Sequence, residues 1–162
     1  MTEVEERGQN KGLLELLIKR ASESEILIFL QKNKQNFIKQ NKEEFKKTEM
    51  SFILKFGYIE VLSLYLNYFG EIYFKNQFDQ EKTFLLFSAS EGCLKTIKFL
   101  CEHQLCTKYE ITRNGSKDAL NFASDAGHLE VVKYLIEEQG FDVDSCTKTG
   151  WTPFMTACDQ GK

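Results

Sequence analysis

The chain predicts an all-α fold: a solenoid of helix–turn–helix repeats, about four and a half units long, joined by short loops or hairpins. Three observations carry this reading. Gly57, Gly92, Gly127 and Gly161 recur at a nearly constant period, roughly every 35 residues. Matching segments follow the first three glycines: Tyr58-Ile59-Glu60-Val61-Leu62, Cys93-Leu94-Lys95-Thr96-Ile97 and His128-Leu129-Glu130-Val131-Val132. Around each glycine the apolar residues fall at the i, i+3, i+4 spacing of short amphipathic helices. A fixed period of about 20 to 50 residues belongs to units that bury their apolar faces against one another.

The first unit, about residues 12–47, starts with Leu13 to Ile18. A Ser22-Glu23-Ser24 turn follows, with serine where later units have glycine, and then a second helix carrying Ile26, Leu27, Phe29 and Leu30. This divergence suits a terminal unit, which meets water on one side in place of a neighbour. Lys32 to Lys47 is rich in Lys, Asn and Gln, with Phe37, Ile38 and Phe45 keeping apolar contact, and reads as a helical or irregular connection. The second unit, about 48–80, pairs Phe52 and Ile53 with Ile59, Val61, Leu62, Leu64 and Leu66 across Gly57. The third, about 81–112, pairs Phe84, Leu85, Phe87 and Ser88 with Leu94, Ile97, Phe99 and Leu100 across Gly92.

The fourth unit, about 113–146, has Ala119, Leu120, Phe122 and Ala123 before Gly127, and Leu129, Val131, Val132, Leu135 and Ile136 after it. Gly140 to Gly150 carries turn formers and an Asp-Val-Asp stretch, suiting an extended loop or hairpin. The last unit, 147–162, holds one helix, so Phe154 and Ala157 lack a partner helix within their own repeat. That predicts a fragment of a longer array, the alternative being a frayed last half-unit. Each helix spans two or three turns and is marginal alone, so packing must hold it. The glycine ends one helix and aims the next, because it reaches positive φ at little steric cost. No Pro/Gly/Ser linker interrupts the chain, which predicts a single domain over 1–162.

Composition bounds the function. With 162 residues, 42% hydrophobic and 28% charged, the chain is a folded domain of ordinary size. A net charge of -3 and a pI near 5.5 argue against nucleic acid as the main ligand, which needs a basic footprint. Met1 to Asn10 is polar and acidic, with no signal-peptide core. No apolar run reaches the length of a membrane span, about 18 residues. The five cysteines are odd in number and follow no zinc-finger spacing, which predicts reduced thiols in a cytoplasmic or nuclear setting.

The last two units resemble the ankyrin repeat. Gly150-Trp151-Thr152-Pro153-Phe154-Met155-Thr156-Ala157 is similar to the family's Gly-x-Thr-Pro-Leu-His-x-Ala opening. Gly127 to Ile136, reading Gly-His-Leu-Glu-Val-Val-Lys-Tyr-Leu-Ile, resembles its second helix. Gly140-Phe141-Asp142-Val143-Asp144 is similar to the loop that follows, with one residue inserted before it. The resemblance is specific from about Thr83 onward and looser back to Leu13. Lys117-Asp118-Ala119-Leu120-Asn121 lacks the Thr-Pro pair, and Thr83-Phe84-Leu85-Leu86 keeps only the threonine. Where the family has histidine after the leucine, this chain has Leu86, Asn121 and Met155, so more apolar contact is expected at those joins.

Chemistry-bearing constellations are sparse. His128 follows a turn glycine and is expected to serve the turn, while His103 ends a helix, where it can meet unpaired carbonyls. Cys93, Cys101, His103 and Cys106 are too spread along one helix for a shared tetrahedral metal, and buried cysteine as a small apolar residue is the better reading. No phosphate loop and no acid–base carboxylate pair is present. The lysines of 32–47 read as a solvated face. The Phe52, Phe87 and Phe122 column reads as packing between repeats.

No catalytic, cofactor or metal residue is therefore assigned, and a non-enzymatic scaffold for an unknown protein partner is expected. The alternative is an N-terminal regulatory or targeting module of a larger enzyme or channel. The resemblance implies a concave surface of loop tips and first-helix faces. Carried over by position, its contacts are Asp79, Gln80 and Lys82; Asn114, Gly115 and Lys117; Lys148, Thr149 and Trp151. The helix ends add Ser90, Glu91, Asp125, Ala126, Asp159 and Gln160, with Trp151 the foremost anchor.

Overall fold

In the computed structural model, the described residues are 12–35, 38, 47–71, 74, 83–106 and 117–162. They form helices and turns and contain no strand. The helices are α1 (12–18), α2 (Glu23–Lys32), α3 (Lys47–Phe56), α4 (Ile59–Phe69), α5 (Phe84–Glu91), α6 (Leu94–Glu102), α7 (Ala119–Ala126), α8 (Leu129–Glu137) and α9 (Pro153–Asp159). The chain divides into two compact units, Met1–Tyr73 and Phe74–Lys162. Phe37, Phe45 and most of the 32–47 connection lie outside the described residues.

Every helix pair turns the same way. Gly57, Gly92, Gly127 and Gly161 all take positive φ, between 65° and 76°. The following N–H reaches back to a carbonyl five residues earlier: Tyr58 to Ile53 at 3.2 Å, Cys93 to Ser88 at 3.1 Å, His128 to Ala123 at 2.9 Å and Lys162 to Ala157 at 3.0 Å. This is the Schellman closure, which satisfies helix carbonyls that would otherwise be orphaned. The turn predicted from the glycine period is present at each rung.

The first pair corrects one expectation. Its left-handed residue is Arg20 (φ 54°), and the Ala21 N–H closes onto Leu16 O at 2.9 Å. Ser22 is therefore not the counterpart of the glycines, and Ser22-Glu23-Ser24 is a helix start, not a turn. One extra residue separates the left-handed position from the N-cap in this unit. Ser22 Oγ accepts the Glu25 N–H at 3.3 Å, and the Glu25 carboxylate accepts the Ser22 N–H at 2.8 Å. Together they form a reciprocal capping box. Hydrogen bonds from the Ser22 side chain and backbone hold the Glu25 carboxyl below the usual carboxylate range.

Burial separates two kinds of helix in the 74–162 unit. α5 buries Phe84, Leu85, Leu86, Ser88 and Ala89, and α7 buries Ala119, Leu120, Asn121, Ala123 and Ser124. These first helices are covered on nearly all sides. α8 buries only Val131 and Leu135, one stripe at i, i+4. α7 accordingly packs against α5, α8 and α9.

Polar bonds fix the joins. In the 1–73 unit, the Tyr58 hydroxyl donates to Ala21 O at 3.1 Å, and Glu23 Oε1 accepts the Glu60 and Val61 N–H groups at 2.6 and 3.2 Å. Tyr58 supplies no side-chain cap to α4, so Glu23 caps it from the preceding pair. In the 74–162 unit, His128 Nε2 donates to Ser90 O at 3.1 Å while its ring lies over Gly92. The join at Asn121 is polar, contrary to the apolar contact expected. Asp118 Oδ1 accepts the Asn121 N–H at 2.8 Å and its Nδ2 at 3.0 Å, and Asp118 Oδ2 accepts Ser145 Oγ at 3.1 Å. The Thr156 hydroxyl gives its proton to Thr152 O at 3.0 Å and lies 3.5 Å from Asn121 Oδ1. Leu86 is buried, as expected for an apolar join.

This geometry sets the cost of two substitutions. A Cβ on Gly92 would sit 2.5 Å from the His128 ring at φ +71°, whereas on Gly127 it meets the flexible end of Lys162 at 2.8 Å. Gly92→Val is expected to cost more than about 1 kcal/mol, and more than Gly127→Val, in urea unfolding followed by circular dichroism. Asp118→Ala removes the α7 cap and strands two buried donors, so a loss of about 1–2 kcal/mol is expected, with most of it restored in Asp118→Asn.

Candidate functional site

Among the described residues, six of the ten expected contact positions come together at one place. A cleft of about 350 Å³ is lined by Lys117, Asp125, Thr147, Thr149, Trp151, Thr156, Asp159 and Gln160. It lies along the ends of α7 and α9 and the turn that precedes α9. Lys117, Asp125, Thr149, Trp151, Asp159 and Gln160 are all positions the sequence points to, and the fold brings them together.

The turn is built to hold Trp151. Its carbonyl accepts the Thr147 N–H at 3.0 Å, and its own N–H donates to Thr147 Oγ1 at 3.1 Å. Gly150, at φ +77°, donates to Thr147 O at 2.8 Å, which tightens the reversal. The Thr147 and Thr149 hydroxyls lie 2.9 Å apart. One residue after the tryptophan, Thr152 caps α9 by accepting the Met155 N–H at 3.2 Å. Pro153 takes the first helical position, where no donor is needed. The indole, still 42% exposed, is carried by a backbone held at both ends.

The charges around the cleft are mixed. Lys117 Nζ and Asp125 Oδ1 pair at 3.2 Å, and Gln160 Nε2 donates to Asp159 Oδ2 at 3.1 Å. Thr156 is 3% exposed and forms the floor. An indole face beside hydroxyls, an amide and an ion pair can offer apolar contact together with directional hydrogen bonds.

The remaining expected positions lie elsewhere. Asp79, Gln80, Lys82, Asn114 and Gly115 fall outside the described residues. Ser90 Oγ donates to its own helix at Phe87 O, 2.8 Å, and the Ser90 carbonyl is engaged by His128, so this residue serves the repeat join. Glu91, Ala126 and Lys148 are not on the cleft. Thr147 and Thr156 are on it, although the sequence reading does not single them out. Thr156 carries a visible signal: it stands five residues before Gly161, as Phe52, Phe87 and Phe122 stand before Gly57, Gly92 and Gly127, with a small polar residue in place of phenylalanine. Those three phenylalanines are half-buried. A larger apolar groove of about 510 Å³, lined by Leu129, Val132, Val143 and Phe154 among others, contains none of the expected residues.

The chemistry-bearing residues of α6 point to separate partners. Thr96 Oγ1 donates to Cys93 Sγ at 3.2 Å, and His103 Nδ1 donates to Phe99 O at 3.0 Å, capping the helix. Cys101 and Cys106 face each other, with sulfurs 3.6 Å apart. Among the described residues no cluster of three metal-ligating side chains occurs, and no helix is long and apolar enough to cross a membrane.

Comparison with known proteins agrees with the architecture. The family model for ankyrin repeats in three copies matches residues 49–145 and 104–162. No curated protein sequence matches. Among solved structures, a chain of the crystal structure of the yeast ribosomal protein Rps3 in complex with its chaperone Yar1 superposes with a TM-score of 0.59 at 20% identity, covering 71% of this chain and 84% of that one. Family match and observed helix pairs agree, and the chain belongs to the ankyrin repeat family.

Proposed function

We propose that the chain is a non-enzymatic protein-binding scaffold and that its partner docks on the cleft around Trp151. The observation that carries this reading is the convergence of Lys117, Asp125, Thr149, Trp151, Asp159 and Gln160 on one concavity, with the indole carried on a hydrogen-bonded turn and partly bare. Rigid aromatic side chains beside polar groups lose little entropy on docking and dominate interface energies. The mixed charge fits a protein segment better than a polyanion, because Lys117 is already paired with Asp125. Ankyrin family membership supports the same role, as repeat arrays present extended binding surfaces.

Affinity capture with the purified chain, read by mass spectrometry, tests the proposal alongside two variants. Trp151→Ala is expected to weaken the captured partner by about 30-fold or more, as a hot spot does, with an unchanged unfolding midpoint. Lys133→Ala, remote from the cleft, is expected to capture normally. Equal capture by Trp151→Ala and the parent chain removes the cleft from the binding surface.

A further inference from the structure

Cys101 and Cys106 flank the left-handed turn that ends α6. Gln104 takes φ 52° there, and the Leu105 N–H closes onto Leu100 O at 2.8 Å. That reversal folds the chain back on the helix, so the two sulfurs meet at 3.6 Å although they lie five positions apart in the sequence. The next repeat supplies a third member. Tyr134 of α8 lies beside the Cys101 sulfur, and its hydroxyl accepts Gln139 Nε2 at 3.0 Å. Lys98 Nζ sits 5.4 Å from the centre of the Tyr134 ring.

The donors around Cys101 favour its thiolate. The contact with Cys106, aided by the nearby Tyr134 hydroxyl, holds the Cys101 thiol below its usual pKa against the opposing effect of burial. Tyr134 is pushed up to about 12, first by its own burial and then by the neighbouring sulfur, so it remains a donor at neutral pH. A stabilised thiolate beside a second thiol is the arrangement of an attacking and a resolving cysteine. Cys93 is held by Thr96, and Cys146 and Cys158 are exposed; none is brought to another sulfur.

We propose that Cys101 and Cys106 are a reversible dithiol–disulfide site that responds to peroxide. The Cys101 thiolate attacks one peroxide oxygen: an S–O bond forms, the O–O bond breaks, and hydroxide leaves and is protonated to water. Cys101 is thereby oxidised by two electrons to the sulfenic acid, and the peroxide is reduced. The Cys106 sulfur then attacks the Cys101 sulfur: the S–S bond forms, the S–O bond breaks, the Cys106 proton is released, and the departing hydroxide becomes a second water. A thiol reductant reverses the bridge by exchange. The site shares no residue with the cleft around Trp151 and stands whether or not that cleft binds a partner.

Peptide mapping after hydrogen peroxide treatment of the purified chain tests the site, because the tryptic peptide Phe99–Lys108 carries both cysteines and no other. The expected product is that peptide lighter by two hydrogens, restored by dithiothreitol, and formed several-fold faster in the folded chain than in concentrated urea. Cys106→Ser is expected to leave a sulfenic acid on Cys101 that dimedone traps. Tyr134→Phe is expected to slow the oxidation several-fold, with Cys106 still resolving. Equal rates in folded and unfolded chain, a parent rate in Tyr134→Phe, or oxidation confined to Cys146 and Cys158 would overturn the proposal.

Discussion

The structure depends on one backbone constraint, a left-handed residue between the two helices of each pair. The helices are short, from seven residues in α9 to eleven in α4, and helices of that length do not persist alone in water. They survive because the turn returns the chain tightly enough for the second helix to pack on the first. The same five-residue closure occurs in all five turns, whatever the residue type. Glycine takes the position at little cost in four of them. In the fifth, Arg20 adopts it against a steric penalty of about 1–2 kcal/mol. Its guanidinium lies 5.0 Å from the centre of the Phe56 ring, a cation–π contact that offsets part of that strain.

A repeated turn also sets how successive pairs stack. At three of the four glycine turns the residue directly after the glycine reaches back to the previous turn: Tyr58 to Ala21 O, His128 to Ser90 O, and the Lys162 side chain over Gly127. At Gly92 the missing Cβ therefore matters twice, for φ and for the His128 ring above it. Stacking in this register leaves α5 and α7 inside and α8 with one dry stripe. That is why α5 and α7 bury even Ser88, Asn121 and Ser124, whose polar groups must find partners within the protein.

Features governed by local sterics were legible in the sequence. The glycine period marks the turns, and Thr83, Thr152 and Pro153 stand at helix starts because caps and fixed φ act over three or four residues. Arg20 was not legible, since nothing in its side chain marks a left-handed conformation, and Ser22 at the expected spacing draws the alignment two residues away. The bonds of Tyr58 and His128 link residues 37 and 38 positions apart, so only the stack reveals them. Asn121 misleads for a related reason: replacing a histidine by an amide removes one pattern of hydrogen bonds, but Asp118 and Ser145 supply another.

The same join explains why the cleft lies beside α9. At Phe122, five residues before Gly127, the column presents an aromatic ring; at the matching place before Gly161 it presents Thr156, whose hydroxyl is satisfied by its own helix at Thr152 O. Trp151 then stands at the rim, its backbone fixed through Thr147, with its indole only partly covered. The break in the aromatic column and the rigid tryptophan turn are thus two sides of one arrangement: the small residue provides the concavity, and the capped turn places an apolar surface at its edge.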